Sequence, residues 1–448
     1  MSETQPVAQC GFDGALLARF ADGETSPAER RKVLRHLLSG CSSCRSVVAP
    51  KFRLISDNRP SEFSISRVLS NVAELEHQMN QERALAAEQF REFLRHPAAR
   101  QWTLLRNSSR YDSWSFCELI LDAGIEAIFD DPHLALDLCR MGVTIADRLG
   151  TGSYGERLVE DLRARAWGRT ANSLRAISDL AGAEQALATA ARHLKQGSGE
   201  PLEEAEHLYF AASLQRAQRH LDLALRTIHR SRRIYRMLGD RHLEGRAMMC
   251  ESAIQDLRGE SAESIDLCRR AIQQIDAGRN ARLAFAVRHN LVWQLMAADR
   301  SQEALRELEV IRPLYAESGD RILLLKLRWM EARLAKDLGR PEESERAFRE
   351  AHEGFVEARI PYEAASVALD LAVLLAEQGR RSELKLLAAE LVAVFRSLGV
   401  AREAFVALTI FERLAQADAV TVTMLARLSQ YFSRVRSQPD LRFDPNDS

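Results

Sequence analysis

The sequence predicts an all-α protein, an α-solenoid of helical hairpins with a period of about 40 residues and a small helical domain in front of it. Two recurring positions carry this prediction. One runs through Tyr235, Ile275, Tyr315, Phe355 and Phe395; the other stays small through Ala224, Ser264, Ala304 and Ser344 before Leu384 breaks the series. Glycines punctuate the same units, with Gly259, Gly339 and Gly379 in the middle and Gly239, Gly319 and Gly399 near the ends. A fixed period of this length with no strand signal inside it reads as stacked helical pairs.

Composition agrees. At 448 residues the chain is too long for one core, and 46% hydrophobic with 28% charged residues suits a globular, mostly helical protein. The formal net charge of −1 gives no global pull toward nucleic acid or an anionic membrane. Basic residues are mostly Arg, a preference that reads as GC-rich, bacterial genome composition rather than recognition. The first ten residues, MSETQPVAQC, have neither a basic stretch nor an apolar one, and no apolar run reaches the roughly 18–20 residues of a membrane span, so a cytoplasmic location is expected. Of seven cysteines, Cys117, Cys139, Cys250 and Cys268 fall in apolar helical patterns, where a buried free thiol is the ordinary reading.

The chain divides into residues 1–50, a small domain; 51–112, a linker and a long amphipathic helix; 113–438, the repeat array; and 439–448, a polar tail. In the first segment, Asp13 to Ala21 reads as a helix with Leu16, Leu17 and Phe20 on one face. Ser26-Pro27 with Glu29 three residues after the cap forms a capping box at the start of a second helix, whose apolar face is Val33, Leu37 and Leu38 and which Gly40 ends. His36 therefore projects from that helix's last turn, just before Cys41-Ser-Ser-Cys44. Two thiolates at CxxC spacing with a helix-borne imidazole close three corners of a zinc tetrahedron, and Cys10 is the candidate fourth. A site with four protein ligands is structural, and for about 50 residues with little core the metal would supply much of the folding free energy.

These residues resemble the zinc-binding anti-sigma factor domain, a zinc-finger. The matching positions are Cys10, Phe20, Asp22-Gly23-Glu24, Ser26-Pro27, Glu29, His36, Cys41 and Cys44. The family places three residues between the His and the CxxC; this chain has four, Leu37 to Gly40. The resemblance implies a structural Zn2+ and a partner, an alternative sigma factor held inactive. It also implies a thiol-based redox switch at Cys41 and Cys44 as an alternative use of the same residues.

After Pro50 the polar run through Asp57, Asn58, Pro60 and Ser61 reads as a linker. Ser64 or Ser66 then caps a helix that Pro97 stops, with Val68, Leu69, Val72, Leu75, Met79, Phe90 and Leu94 along one side. That face is expected to pack on the first repeats. From Ser113 the chain alternates helix and turn: a hairpin of 115–129 with 131–149, a second from Tyr154, and six more from about 201, 241, 281, 321, 361 and 401. Pro201, Pro341 and Pro361 fall at helix starts, and Pro313 lies inside a helix that it should kink.

The small residue opening each second helix, the mid-unit glycine and endings such as MLGD, ESGD and SLGV resemble tetratricopeptide repeats in a long, 40-residue form. The resemblance implies a concave face lined by the first helix of each hairpin, a groove for an extended peptide or partner helix. Candidates on it are Asn172, Arg246, Arg288, Asn290, Lys326, Arg328 and Asp370. The basic run Arg226, His229, Arg230, Arg232, Arg233 and Arg236 lacks aromatic stacking partners and reads as a solvated face, so no direct nucleic acid binding is expected. Gly150-Thr-Gly152-Ser-Tyr-Gly155 matches G-x-G-x-x-G but follows a helix, without the strand a dinucleotide site needs. With no catalytic constellation legible, the expectation is a non-enzymatic regulatory adaptor acting through protein–protein interaction, with a general interaction scaffold as the alternative.

Overall fold

The computed structural model describes residues 13–21, 24–38, 41, 44, 47–48, 65–128, 131–318, 321–398, 402–435 and 442–443. Cys10, Asp22, Gly23, Gly40, the linker from Asp57 to Ser61, Gly319, Gly399 and the tail at Pro439 lie outside these residues, as do the side chains of Val68, Leu69, Val72, Leu75 and Phe395. Among the described residues there are 21 α-helices and no strand, the all-α architecture the repeat predicts. The chain forms two compact units, Met1–Arg95 and His96–Ser448.

The first unit holds α1 (Gly14–Ala21), α2 (Pro27–Leu38) and the long α3 (Ile65–Phe93). Asp13 caps α1 through Oδ1, which accepts from the Ala15 and Leu16 amides at 2.9 and 3.3 Å. The capping box of α2 is formed reciprocally: Glu29 N–H donates to Ser26 Oγ at 3.3 Å and Ser26 N–H to Glu29 Oε2 at 2.9 Å. Arg19 grips the same carboxylate with both guanidinium nitrogens, at 3.0 and 3.1 Å, which ties α1 to the start of α2. The Ser26 amide and hydroxyl, with Arg19 behind them, hold the Glu29 carboxyl down at about 2.

The second unit opens with α4 (Ala98–Asn107), followed by hairpins of α5 (Trp114–Ala127) with α6 (Pro132–Arg148) and, after the short α7 (Thr151–Tyr154), α8 (Glu156–Ala176) with α9 (Leu180–Gln196). Five regular pairs follow: α10 (Pro201–Ala217) with α11 (Leu221–Leu238), α12 (Arg241–Leu257) with α13 (Ser261–Gln274), α14 (Ala281–Ala297) with α15 (Ser301–Ser318), α16 (Arg321–Asp337) with α17 (Pro341–Glu357), and α18 (Pro361–Glu377) with α19 (Arg381–Leu398). Several helix starts are capped by a side chain, as at Asp131, Asp179, Asp240 and Asn280, and others carry Pro at the first helical position, as at Pro201, Pro341 and Pro361. Helix α15 runs through Pro313 to Ser318.

The repeat columns have direct structural causes. Ala224, Ser264, Ala304 and Ser344 are fully buried where the second helix of a pair crosses the first. The serines there donate to first-helix carbonyls 12 residues back, Ser264 Oγ to Ser252 O at 2.9 Å and Ser344 Oγ to Ala332 O at 2.8 Å. A larger side chain would push the backbones apart. Tyr235, Tyr315 and Phe355 have no exposed surface, and Ile275 is buried in the same layer. Between paired helices a left-handed residue recurs every 40 positions, at Arg219, Gly259, Asp299, Gly339 and Gly379, with φ between 56° and 84°. Glycine fills three of the five because it alone adopts this conformation without steric cost.

The end of the array departs from a regular last hairpin. Helices α20 (Arg402–Gln416) and α21 (Val422–Val435) barely touch each other; α20 packs on α19 and α21 packs back on α18. Helix α18 offers a broad apolar surface, with Ala364, Ala365, Val367, Ala368, Leu369, Leu371, Ala372, Leu374 and Leu375 all buried. Leu425, Leu428, Tyr431 and Phe432 of α21 join its core cluster.

Candidate metal centre and inner groove

The CxxC segment follows α2 directly, and its residues close onto that helix. Leu16, Leu17, Val33, Cys44 and Val48 form the buried core of this region, with Phe20, Leu37 and Cys41 against it. The ligand atoms of His36, Cys41 and Cys44 lie within 4.8 Å of one another, and His36 Nε2 is 3.2 Å from Cys44 Sγ. Both cysteines are thiols rather than half-cystines. Around one zinc with bonds of about 2.0–2.3 Å, tetrahedral ligand atoms sit roughly 3.5–3.8 Å apart, so the cluster is compact enough for a single ion. The extra residue between His36 and Cys41 does not carry the imidazole away from the thiols. Two sulfurs and one nitrogen form a soft donor set that suits zinc.

The second unit offers a long polar surface. The first helices of successive pairs, α10, α12, α14, α16 and α18, touch one another in series and so form one continuous face. Several expected groove residues are engaged within the array. Asn172 Oδ1 accepts from Arg175 at 2.9 Å, Arg288 pairs with Glu307 at 3.2 Å, and Arg328 pairs with Glu350 at 2.6 Å and Glu331 at 3.1 Å. Asp370 accepts the Trp329 indole N–H at 2.7 Å with Arg333 3.9 Å away; burial pushes its carboxyl up against the pull of Arg333 and that indole. Arg246 lies over the Tyr209 ring at 4.3 Å and donates to the Tyr235 hydroxyl at 3.0 Å. Asn290 and Lys326 make no side-chain pairing among the described residues.

What the composition of single helices hides is an aromatic ridge across α14 and α16. Trp293 and Trp329 meet edge to face at 5.0 Å, Arg333 lies over Trp293 at 5.2 Å, and Trp293 Nε1 donates to His289 Nε2 at 3.0 Å. His289 Nδ1 in turn pairs with the Tyr315 hydroxyl. Projecting the 40-residue register from Tyr209 gives Met249, His289, Trp329 and Leu369, so the signal was present in the sequence. The first four are half-buried, and Leu369 is fully buried in the helix on which α21 packs.

The basic run on α11 is a set of ion pairs to acids of α10 and α12: Arg232 with Glu251 at 2.9 Å, Arg236 with Glu244 at 2.7 Å, His229 with Glu251 at 3.0 Å and Arg230 with Glu204 at 3.4 Å. Gly150 to Gly155 forms the short α7 and its flanks, with Tyr154 packed on Trp114. Cys117, Cys139, Cys250 and Cys268 are buried, and burial pushes the Cys117 thiol up to about 12 and Cys268 to about 11. Among the described residues no helix is long and apolar enough to cross a membrane.

No model of a known protein family matches the sequence, and no curated protein matches it. Solved structures do. A Rap protein crystallised with competence and sporulation factor aligns with a TM-score of 0.53 at 12% identity, covering 71% of this chain and 87% of its own. The apo form of RapI aligns with a TM-score of 0.51 at 13% identity, covering 71% and 86%. At this identity the likeness is one of fold: this chain shares the helical-repeat architecture of the Rap proteins.

Proposed function

We propose that this protein is a non-enzymatic regulatory adaptor whose repeat array holds a peptide or helix of a partner along the face of its first helices. The observation that carries the reading is the row of half-buried aromatic and cationic side chains at register-related positions of that face: Tyr209, Arg246, His289, Lys326 and Trp329. In a helical solenoid such a face is the extended binding surface. The Rap protein of the same fold was crystallised with competence and sporulation factor, which supports a ligand-binding array here.

The sharper form concerns residues 1–50. His36, Cys41 and Cys44, with Cys10, hold a structural zinc, and the domain so folded grips an alternative sigma factor while the array receives a signal. The cluster geometry and the formed capping box support the zinc; the resemblance of the DGE-x-S-P stretch supports the partner. A redox role for Cys41 and Cys44 has less support, because Cys44 is fully buried in the core. Co-expression with the alternative sigma factors of the same genome is the test. A stable complex that disappears when residues 1–50 are removed is expected; no complex with any of them overturns the anti-sigma reading and leaves a general scaffold.

A further inference from the structure

The face of α8, α10 and α12 gathers more cations than the carboxylates around them neutralise. Glu206, Tyr209, Ser213 and Arg216 share one side of α10 at spacings of three, four and three. The Arg216 side chain makes no ion pair or hydrogen bond among the described residues, and its Nε is buried without a partner. Beside it, Arg175 has a neutral partner, Asn172, at 3.1 and 2.9 Å. Burial lowers the basicity of Arg175, and the neighbouring Arg216 lowers it further. Arg246 closes the other side, flat on the Tyr209 ring, with a second unpartnered buried Nε. The nearest carboxylate is Glu206, 4.0 Å from Arg246 and itself close to Arg165. Other arginines of α8 are paired: Arg165 with Glu203 and Glu118, Arg163 with Glu160, Arg169 with Asp122.

Three guanidinium groups around one tyrosine with a single carboxylate nearby leave an excess of positive charge on a half-buried surface. Desolvated like charges raise the free energy of the empty protein, and a planar anion relieves that by accepting charge-assisted bonds from the forks. We infer that Arg175, Arg216 and Arg246 form a receptor for carboxylates of an acidic peptide segment lying along the inner face. This rests on the groove reading above and adds the charge of its occupant. Further along the first helices α16 adds Lys326 and Arg333, the latter 3.9 Å from Asp370, so an acidic strand is matched over more than one repeat.

The test uses the full chain and a fluorescent ten-residue peptide of alternating Glu and Ala, its Gln counterpart, and a version with phosphoserine for one Glu. Wild type should bind the Glu peptide at low salt at least about tenfold more tightly than the Gln peptide. Hydrogen exchange should show protection in α10 and α12. Arg216→Gln should weaken the Glu peptide about tenfold with an unchanged or raised melting temperature, because it removes an unneutralised buried charge, and Arg216→Lys should retain more binding than Arg216→Gln. Equal binding of the Glu and Gln peptides overturns the carboxylate receptor but keeps the groove. Preference for the phosphoserine peptide by tenfold or more assigns the site to phosphate instead. Equal loss in the Lys and Gln variants removes the role of charge. Protection of the first helices by none of the peptides overturns the groove reading along with it.

Discussion

His289 shows how much one buried side chain can report. Its Nε2 accepts from the Trp293 indole and its Nδ1 faces the Tyr315 hydroxyl, an arrangement that suits the neutral ring. Burial, with Lys326 nearby as a lesser cause, pulls its pKa down from 6.5 to about 4. The unfolded chain therefore binds a proton that the folded one refuses between these values, and stability falls as pH drops from about 6.5 toward 4. A shift of this size corresponds to on the order of 3 kcal/mol. In urea titrations of wild type and His289→Asn at pH 7 and pH 4.5, the wild type should lose more stability on acidification. Equal losses would mean that His289 takes up its proton in the folded state without penalty. The register marks His289 as a groove position, but its buried, neutral environment comes from Trp293 one turn on and from Tyr315 of the next helix.

At the scale of the element, the helices and their caps were legible because the forces that define them are local. Ser26 and Glu29 cap each other from three residues apart, and the 40-residue register exposes Ala224, Ser264, Ala304 and Ser344 as one crossing point. The same register reaches the mid-unit turn, where glycine is the visible member of a series that also contains Arg219 and Asp299. Those two escaped notice because their side chains say nothing about φ; the left-handed state is imposed by the pair of helices they join. Asp299 at φ 56° bears a strain that Gly259 at φ 84° does not. Asp299→Gly should therefore stabilise the array by about 0.5–1 kcal/mol, and Gly259→Ala should destabilise it by about 1 kcal/mol, read as shifts of the urea midpoint. The same direction of shift in both variants would show that the turn is set by something other than backbone sterics. The last pair, α20 and α21, was not legible as it folds. Its sequence has the same helical period as the others, and nothing local in that period tells that α21 packs on α18 rather than on α20.

For the whole molecule, the two compact units rest on different sources of stability. The array closes its core by stacking: α18 alone buries nine apolar side chains, and the layer of Tyr235, Tyr315 and Phe355 is sealed by neighbours on both sides. Such a core needs no ligand to fold. Around His36, Cys41 and Cys44 the described core amounts to Leu16, Leu17, Val33, Cys44 and Val48, and one of those five is itself a candidate metal ligand. Four aliphatic side chains are a small core compared with that of the array. On the zinc reading proposed above, an ion bound by the folded state alone would add directly to the folding free energy of this region. Chelation of the full-length protein with EDTA should accordingly strip hydrogen-exchange protection from α1 and α2 while the helices from α8 to α19 exchange as before. Cys44→Ser should do the same without chelator, and zinc should restore protection to the chelated wild type but not to the variant. Intact protection of α1 and α2 after chelation would mean that the ion pair of Arg19 with Glu29 and the small core suffice, and that the His-Cys-Cys cluster is a packing arrangement rather than a metal centre.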